Sequence, residues 1–346
     1  MTQAPTPTAD IVRRLIRSLT EGGEEDGYGT AGRTTGRKGR AGAEGEGGGA
    51  GPDGTVAGPD VRPVTEGGEH STWWVGGRHV LRLATDREAT TRRRRELRLR
   101  ELVRPHVPVA VPTSVARGDW APGLAYTLDT KLPGGSAEEH DVSALGEADL
   151  AGLLTGLREV PARQAETLGV PRTAPRSLEA LRRMAVPAAE LLGAADEFDP
   201  APLHQFTPSG AAQLVAQPGV AVLVHHHLRG EHLVVSADGR VRGVLDWTDA
   251  VVGDPAEDIA GLALAVGAPA AVRAATLAGY GARPCLRGLW LARCDTVIRL
   301  AERLEGRDDS PLPLLRTQLR RAWEAILLER VTEIREEDPD EKEDDL

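Results

Sequence analysis

The chain has 346 residues and a formal net charge of −10 at pH 7, an acidic balance that argues against nucleic acid as the main partner. No run of about 18 apolar residues exists for a membrane span, and the N-terminus lacks the apolar core of a signal peptide. Only two cysteines occur, Cys285 and Cys294, so a disulfide framework is not expected and a reducing cytoplasm is.

Taken in chain order, residues 1–20 are expected to hold a capped amphipathic helix over Asp10–Leu19, with Ile11, Val12, Leu15, Ile16 and Leu19 on one face. Residues 21–58 contain 15 glycines in 38 positions and no Leu, Ile, Met, Phe or Trp. Such a segment cannot bury enough apolar surface to offset its ordering entropy, and it reads as a disordered linker.

Residues 59–132 read as a small β-rich lobe. Apolar residues alternate across Val61–Leu83 on both sides of Gly67-Gly68 and again of Gly76-Gly77, the pattern of a three-stranded antiparallel meander. A strongly charged helix is expected over Thr90–Val103, with Arg92–Arg95 on a solvated face. Val107–Val115 is an apolar run punctuated by proline, followed by a turn at Gly118–Gly123. Leu124–Leu132 reads as a strand that stops at Pro133-Gly134-Gly135.

Residues 133–332 are mainly helical. Leu150, Leu153, Leu154 and Leu157 recur at helical spacing within Leu145–Arg158, and the same pattern holds over Leu178–Leu192, Val272–Tyr280, Leu286–Leu304 and Leu312–Val331. Pro269 and Pro311 sit near helix starts, where a missing N–H costs nothing. Trp290 and Trp323 are expected in the core. The tail 333–346 is dominated by Asp and Glu and reads as disordered.

The chemistry is concentrated in Ala221–Leu262. A short apolar strand, Val220–Val224, runs into the loop His225–His232; a hairpin of Leu233–Ser236 and Val241–Leu245, turning at Ala237-Asp238-Gly239, then delivers Asp246. Two strand-end loops set side by side by a hairpin can aim polar groups at one point. The three consecutive histidines do not read as a zinc site. Adjacent residues point to different sides, both cysteines lie far along the chain, and zinc-ligand spacings are absent.

The stretch resembles the aminoglycoside and macrolide phosphotransferases, small-molecule kinases of the choline kinase superfamily. Their pattern is His-Gly-Asp, four residues, Asn, a hairpin, then Ile-Asp-Trp and Gly-Asp-Pro-Ala-x-Asp. The chain matches at His225, Leu245-Asp246-Trp247, Gly253-Asp254-Pro255-Ala256 and Asp258. Asp246-Trp247-Thr248-Asp249-Ala250 is similar in wording to the macrolide branch, where the Asn is commonly His, as His232 is here. The chain departs from the pattern at His227, which stands in place of the catalytic Asp, and at His226, in place of Gly.

The resemblance implies an α+β, protein-kinase-like two-lobed fold, with a small antiparallel β lobe and a mainly helical one. It implies transfer of phosphate from ATP or GTP, with Mg2+ or Mn2+, to a hydroxyl of a small-molecule acceptor such as an aminoglycoside or macrolide antibiotic. By the same resemblance Asp246 holds the metal and His232 supports metal or phosphate. A hard cation prefers oxygen ligands, which suits Asp246 better than His232.

His225 is implied to brace the loop, and His227 occupies the base position. Gly67 and Gly68 lie in the turn expected over the nucleotide phosphates. Arg82 stands where the phosphate-contacting Lys of a kinase is expected, with Glu96 as its partner, and the adenine edge is expected near Asp129–Leu132. His227 leaves three readings open: a general base in its own right, since imidazole titrates near neutral pH, a slow enzyme, or a nucleotide- or ligand-binding protein that has lost catalysis.

Overall fold

A computed structural model of the chain describes residues 6–22, 60–64, 71–217 and 221–326. The expected glycine-rich linker beyond Gly22, Gly67 and Gly68, and the acidic tail lie outside them. The chain divides into two compact units, Met1–Thr90 with Ser114–Lys131, and Thr91–Thr113 with Leu132–Leu346.

The first unit holds helix α1 (Ala9–Gly22) and strands β1 (Val61–Pro63), β2 (Ser71–Val75) and β3 (His79–Leu83). Helix α2 (Arg87–Val103) begins in this unit and ends in the second; β4 (Ser114–Ala121) and β5 (Leu124–Thr130) complete the first. The five strands form one antiparallel sheet in the order β1-β2-β3-β5-β4. The expected meander is therefore present, and its period-2 pattern sends Trp73, Val75, Leu81 and Leu83 into a core closed by Val12 and Ile16 of α1.

The expected turn at Gly118–Gly123 is shorter in the structure. Strand β4 continues through Gly118, and the chain reverses at Pro122-Gly123, where Gly123 has φ +73°. Gly118 serves a neighbour: a Cβ there would lie 3.0 Å from Cε1 of Tyr126 on β5. A strand glycine of this kind makes room for a ring.

The second unit continues with β6 (Gly135–Ser136), α3 (Ala144–Glu159), α4 (Ala162–Thr167), α5 (Leu178–Ala194), α6 (Ala201–His204) and α7 (Pro208–Gln213). After β7 (Val222–Val224), a single 3-10 turn (Gly230–His232) leads to β8 (Leu233–Val235), β9 (Val241–Val244) and β10 (Val251–Gly253). Helices α8 (Ala256–Val266), α9 (Ala268–Leu277), α10 (Ala282–Leu304) and α11 (Leu312–Ala322) follow.

The leucine spacing of α3 buries Leu150, Leu153, Leu154 and Leu157. Helices α5 and α11 pack on α10 through Ala185, Leu192, Val297 and Leu315. Helix α9 starts four residues before the expected Val272, with Pro269 in its first turn, and α11 ends at Ala322, short of the expected Val331. Among the described residues no helix is long and apolar enough to cross a membrane.

Two short pairings position the site. Strand β10 runs antiparallel to β7, with Val251 opposite Val224. Strand β8 runs antiparallel to β9, with Leu233 opposite Val244. The ends of β7 and β9 thus release His225 and Asp246 close together.

Candidate active site

The loop that leaves β7 is fastened at its first two residues. Asp258, in the first turn of α8, accepts the backbone N–H of His225 on Oδ2 and that of His226 on Oδ1, both at 2.8 Å. The carboxyl is 2% exposed. Burial pushes it up to about 7, against the opposing effect of the two N–H bonds.

His226 has φ +72° and an exposed side chain. That left-handed conformation is the physical reason for glycine at this position in the resembling pattern. A histidine can adopt it, at a cost.

His225 is fully buried and its ring is used at both nitrogens. Nε2 lies 2.9 Å from the Leu245 carbonyl, and Nδ1 accepts the His227 N–H at 3.3 Å. A carbonyl only accepts and an N–H only donates, so the ring is neutral with its proton on Nε2. Burial accordingly pushes its pKa down to about 3. The edge of Trp247 packs on the same ring at a centroid distance of 4.7 Å. His225 therefore ties the loop after β7 to the end of β9.

His227, His232 and Asp246 meet beyond this brace. The His227 carbonyl accepts from His232 Nδ1 and from the Arg229 N–H, each at 2.8 Å. That bond places the proton of His232 on Nδ1 and turns Nε2 toward Asp246, 3.9 Å from Oδ2. Asp246 has φ +55°, a second left-handed residue at the centre of the site. The side chain of His227 lies with Nδ1 3.2 Å from Asp249 Oδ2, and the hydrogen bond holds the Asp249 carboxyl below its ordinary range.

The turn that carries Asp246 and Asp249 is gripped by α2. Thr248 donates its hydroxyl to Glu96 Oε2 at 3.2 Å, while its carbonyl accepts from Arg95 at 2.7 Å. Glu96 is 1% exposed and also pairs with Arg93 at 3.2 Å and Arg100 at 3.6 Å. In the second unit Glu96 is thus part of the scaffold under the turn. Arg82 lies on β3 of the first unit, between Thr72 and Thr127 in the sheet register. Asp129 is buried on β5 with Ser114 and Thr127 on its carboxylate.

One partly buried and one buried charge cluster stand behind the loop. Arg176 makes bidentate bonds to Glu257 (2.7 and 2.9 Å) and reaches both oxygens of Asp295 at 2.9 Å. Arg287 binds Asp254 at 2.5 Å and the carbonyls of Arg176 and Leu214 at 2.7 and 3.1 Å. Asp254 also accepts the Ala256 N–H at 3.0 Å, closing the start of α8.

A divalent cation would find the Asp246 carboxylate with one imidazole nitrogen, His232 Nε2, beside it. Mg2+ is commonly held by one or two carboxylates with phosphate oxygens and water completing its shell, so a lone carboxylate fits it. The nearby imidazole makes Mn2+ an equally suitable ion. Among the described residues no group of three or more His, Cys, Asp or Glu is placed to hold a metal by itself.

The chain is similar to the GDP and kanamycin complex of APH(2")-IIia, at 21% identity and TM-score 0.56 over 82% of this chain and 95% of that one. It is similar to the GDP complex of wild-type aminoglycoside 2'-phosphotransferase-IIIa, at 19% identity and TM-score 0.55 over 78% and 93%. The apoenzyme of macrolide 2'-phosphotransferase MphH from Brachybacterium faecium matches at 23% identity and TM-score 0.51 over 75% and 91%. At such identities the likeness shows the fold, which is the kinase-like one.

A 41-residue segment is 49% identical to the uncharacterized protein YcbJ of Bacillus subtilis (strain 168), covering 12% of this chain and 13% of that protein. The model of the phosphotransferase enzyme family matches residues 60–291. A match over most of the chain, on a fold that brings His225, His227, His232 and Asp246 together, places the chain in the phosphotransferase enzyme family.

Proposed function

We propose that the chain transfers the γ-phosphoryl group of ATP or GTP, with Mg2+ or Mn2+, to a hydroxyl of a small molecule of the aminoglycoside or macrolide type. The observation that carries this reading is that adjoining strand-end loops set the partly exposed Asp246 carboxylate 3.9 Å from His232, whose ring centroid lies 6.2 Å from that of His227. Phosphoryl transfer asks the protein mainly for positioning and charge neutralisation. In this reading Asp246, with His232 beside it, holds the metal that neutralises phosphate charge. His227 stands where the acceptor hydroxyl loses its proton, and Arg82, Gly67 and Gly68 contribute to the phosphate side. The GDP and kanamycin complexes of similar proteins support nucleotide and acceptor of these classes.

A second reading, a nucleotide- or ligand-binding protein without turnover, is favoured by one observation: an imidazole stands where the resembling pattern has a carboxylate. One experiment separates the two. The thermal midpoint is measured with ATP and GTP, each with and without Mg2+ or Mn2+, and nucleotide diphosphate release is then followed across an acceptor panel. A metal-dependent rise in midpoint and acceptor-dependent release are expected. A rise without release across the panel would favour the second reading, and no rise with any nucleotide would sink phosphoryl transfer and nucleotide binding alike.

A further inference from the structure

An imidazole can take a proton from a substrate only through a nitrogen that carries a lone pair. Which nitrogen that is depends on what holds the other. His227 Nδ1 lies 3.2 Å from Oδ2 of Asp249. An ionised carboxylate only accepts, so the proton belongs on Nδ1 and the lone pair on Nε2. Among the described residues Nε2 of His227 has no hydrogen-bond partner, and the side chain is 35% exposed.

The main chain of His227 is fixed on both sides, its N–H by His225 Nδ1 and its carbonyl by His232 Nδ1 and the Arg229 N–H. Only the side-chain torsions remain, and Asp249 restrains them. Asp249 is itself anchored, because the preceding Thr248 is held by Glu96 and Arg95.

We propose that Asp249 is a positioning residue for His227: it holds the imidazole as the Nδ1–H tautomer, with Nε2 presented as the proton acceptor for the substrate hydroxyl. The proposal rests on the phosphotransferase reading above for its chemical consequence. The hydroxyl oxygen forms a bond to the γ-phosphorus, and the bond from that phosphorus to the bridging oxygen breaks with its electron pair leaving on the nucleoside diphosphate. The hydroxyl proton passes to Nε2 of His227, and the resulting imidazolium lies against the Asp249 carboxylate until the proton is lost to water. The same division of labour between imidazole and carboxylate recurs on unrelated folds.

The test uses the full chain labelled with 15N-histidine, with His227→Asn identifying the signal. Wild type is expected to show the Nδ1–H tautomer at His227, and Asp249→Ala to lose that preference. With nucleotide, metal and an acceptor from the panel, Asp249→Asn is expected to lower kcat by about 10²- to 10⁴-fold. The KM for nucleotide and acceptor should stay within about twofold, and Asp249→Glu should restore part of the rate. A His227 tautomer that is Nε2–H in wild type, or that ignores Asp249→Ala, overturns the proposal, as does an unchanged kcat in Asp249→Asn. An Asp249-dependent tautomer in a chain that transfers no phosphate supports the pairing and sinks the phosphotransferase reading instead.

Discussion

Asp258 holds the main chain of His225 from 33 residues away, its Oδ2 accepting the His225 N–H at 2.8 Å, and both groups are buried in protonation states unlike those of the unfolded chain. The two titrations oppose one another. Asp258 is raised from 3.8 to about 7, so between about pH 4 and 7 the folded chain keeps a proton the unfolded chain has released, and stability falls as pH rises. His225 is lowered from 6.5 to about 3. Between those values the unfolded chain binds the extra proton, and stability falls as pH drops. Urea midpoints from pH 4 to 8 should therefore rise with pH more steeply in Asp258→Asn than in wild type. Parallel profiles would mean that the Asp258 carboxyl is not raised.

The left-handed backbone of His226 makes a separate prediction. With φ +72° and an exposed side chain, the residue carries conformational strain that glycine does not. His226→Gly is expected to stabilise the chain by roughly 0.5–1 kcal/mol, the relief of strain being partly offset by glycine's freedom when unfolded. His226→Val, β-branched at positive φ, should destabilise by about 1–2 kcal/mol. Chemical denaturation at a single pH measures both.

Arg287 and Asp254 form a pair at 2.5 Å, 3% and 6% exposed, that also closes on two carbonyls. Removing one member leaves a buried charge without compensation. Arg287→Ala should cost about 3–5 kcal/mol in urea unfolding. Arg287→Lys should recover only part of that loss, because one ammonium cannot span Asp254 and both carbonyls in the fork geometry of a guanidinium.

Asp246 is the opposite case, a carboxylate whose loss should be felt in binding more than in folding. Its side chain is 33% exposed. Asp246→Ala should keep the ligand-free thermal midpoint within a few degrees and abolish its metal-dependent rise with nucleotide. Any acceptor-dependent turnover should fall by at least about a hundredfold. A midpoint that still rises with metal and nucleotide would remove Asp246 from the metal site.

The features legible in the sequence were those with a local period or a fixed spacing. The leucines of α3 and the hairpin of β8 and β9 announce themselves within a few residues, while His225, His232 and Asp246 were legible through the family pattern they resemble. Where the sequence misled, a partner was distant. Gly118 read as a turn because the Tyr126 ring that needs its space is on the next strand.

The second layer of the site was hidden for the same reason. Glu96 holds Thr248 through a bond that crosses 152 residues, a span no local pattern shows. Asp258 was visible as a motif letter, yet nothing local reveals that it straps the loop. Asp249 left a faint signal, a second carboxylate three residues after Asp246 on the same strand-end turn.

The hydrogen bonds that shape the loop around His227 run through its main chain, while its side chain bonds Asp249 and lies beside the rings of His226 and His232. Residue 227 is therefore an interchangeable fitting in a frame that does not depend on it. A lineage, or a designer, can trade imidazole for amide there and keep the same backbone, whereas a carboxylate would also have to turn away from Asp249. Chemistry at this position can change in a single mutational step while the architecture stays as it was.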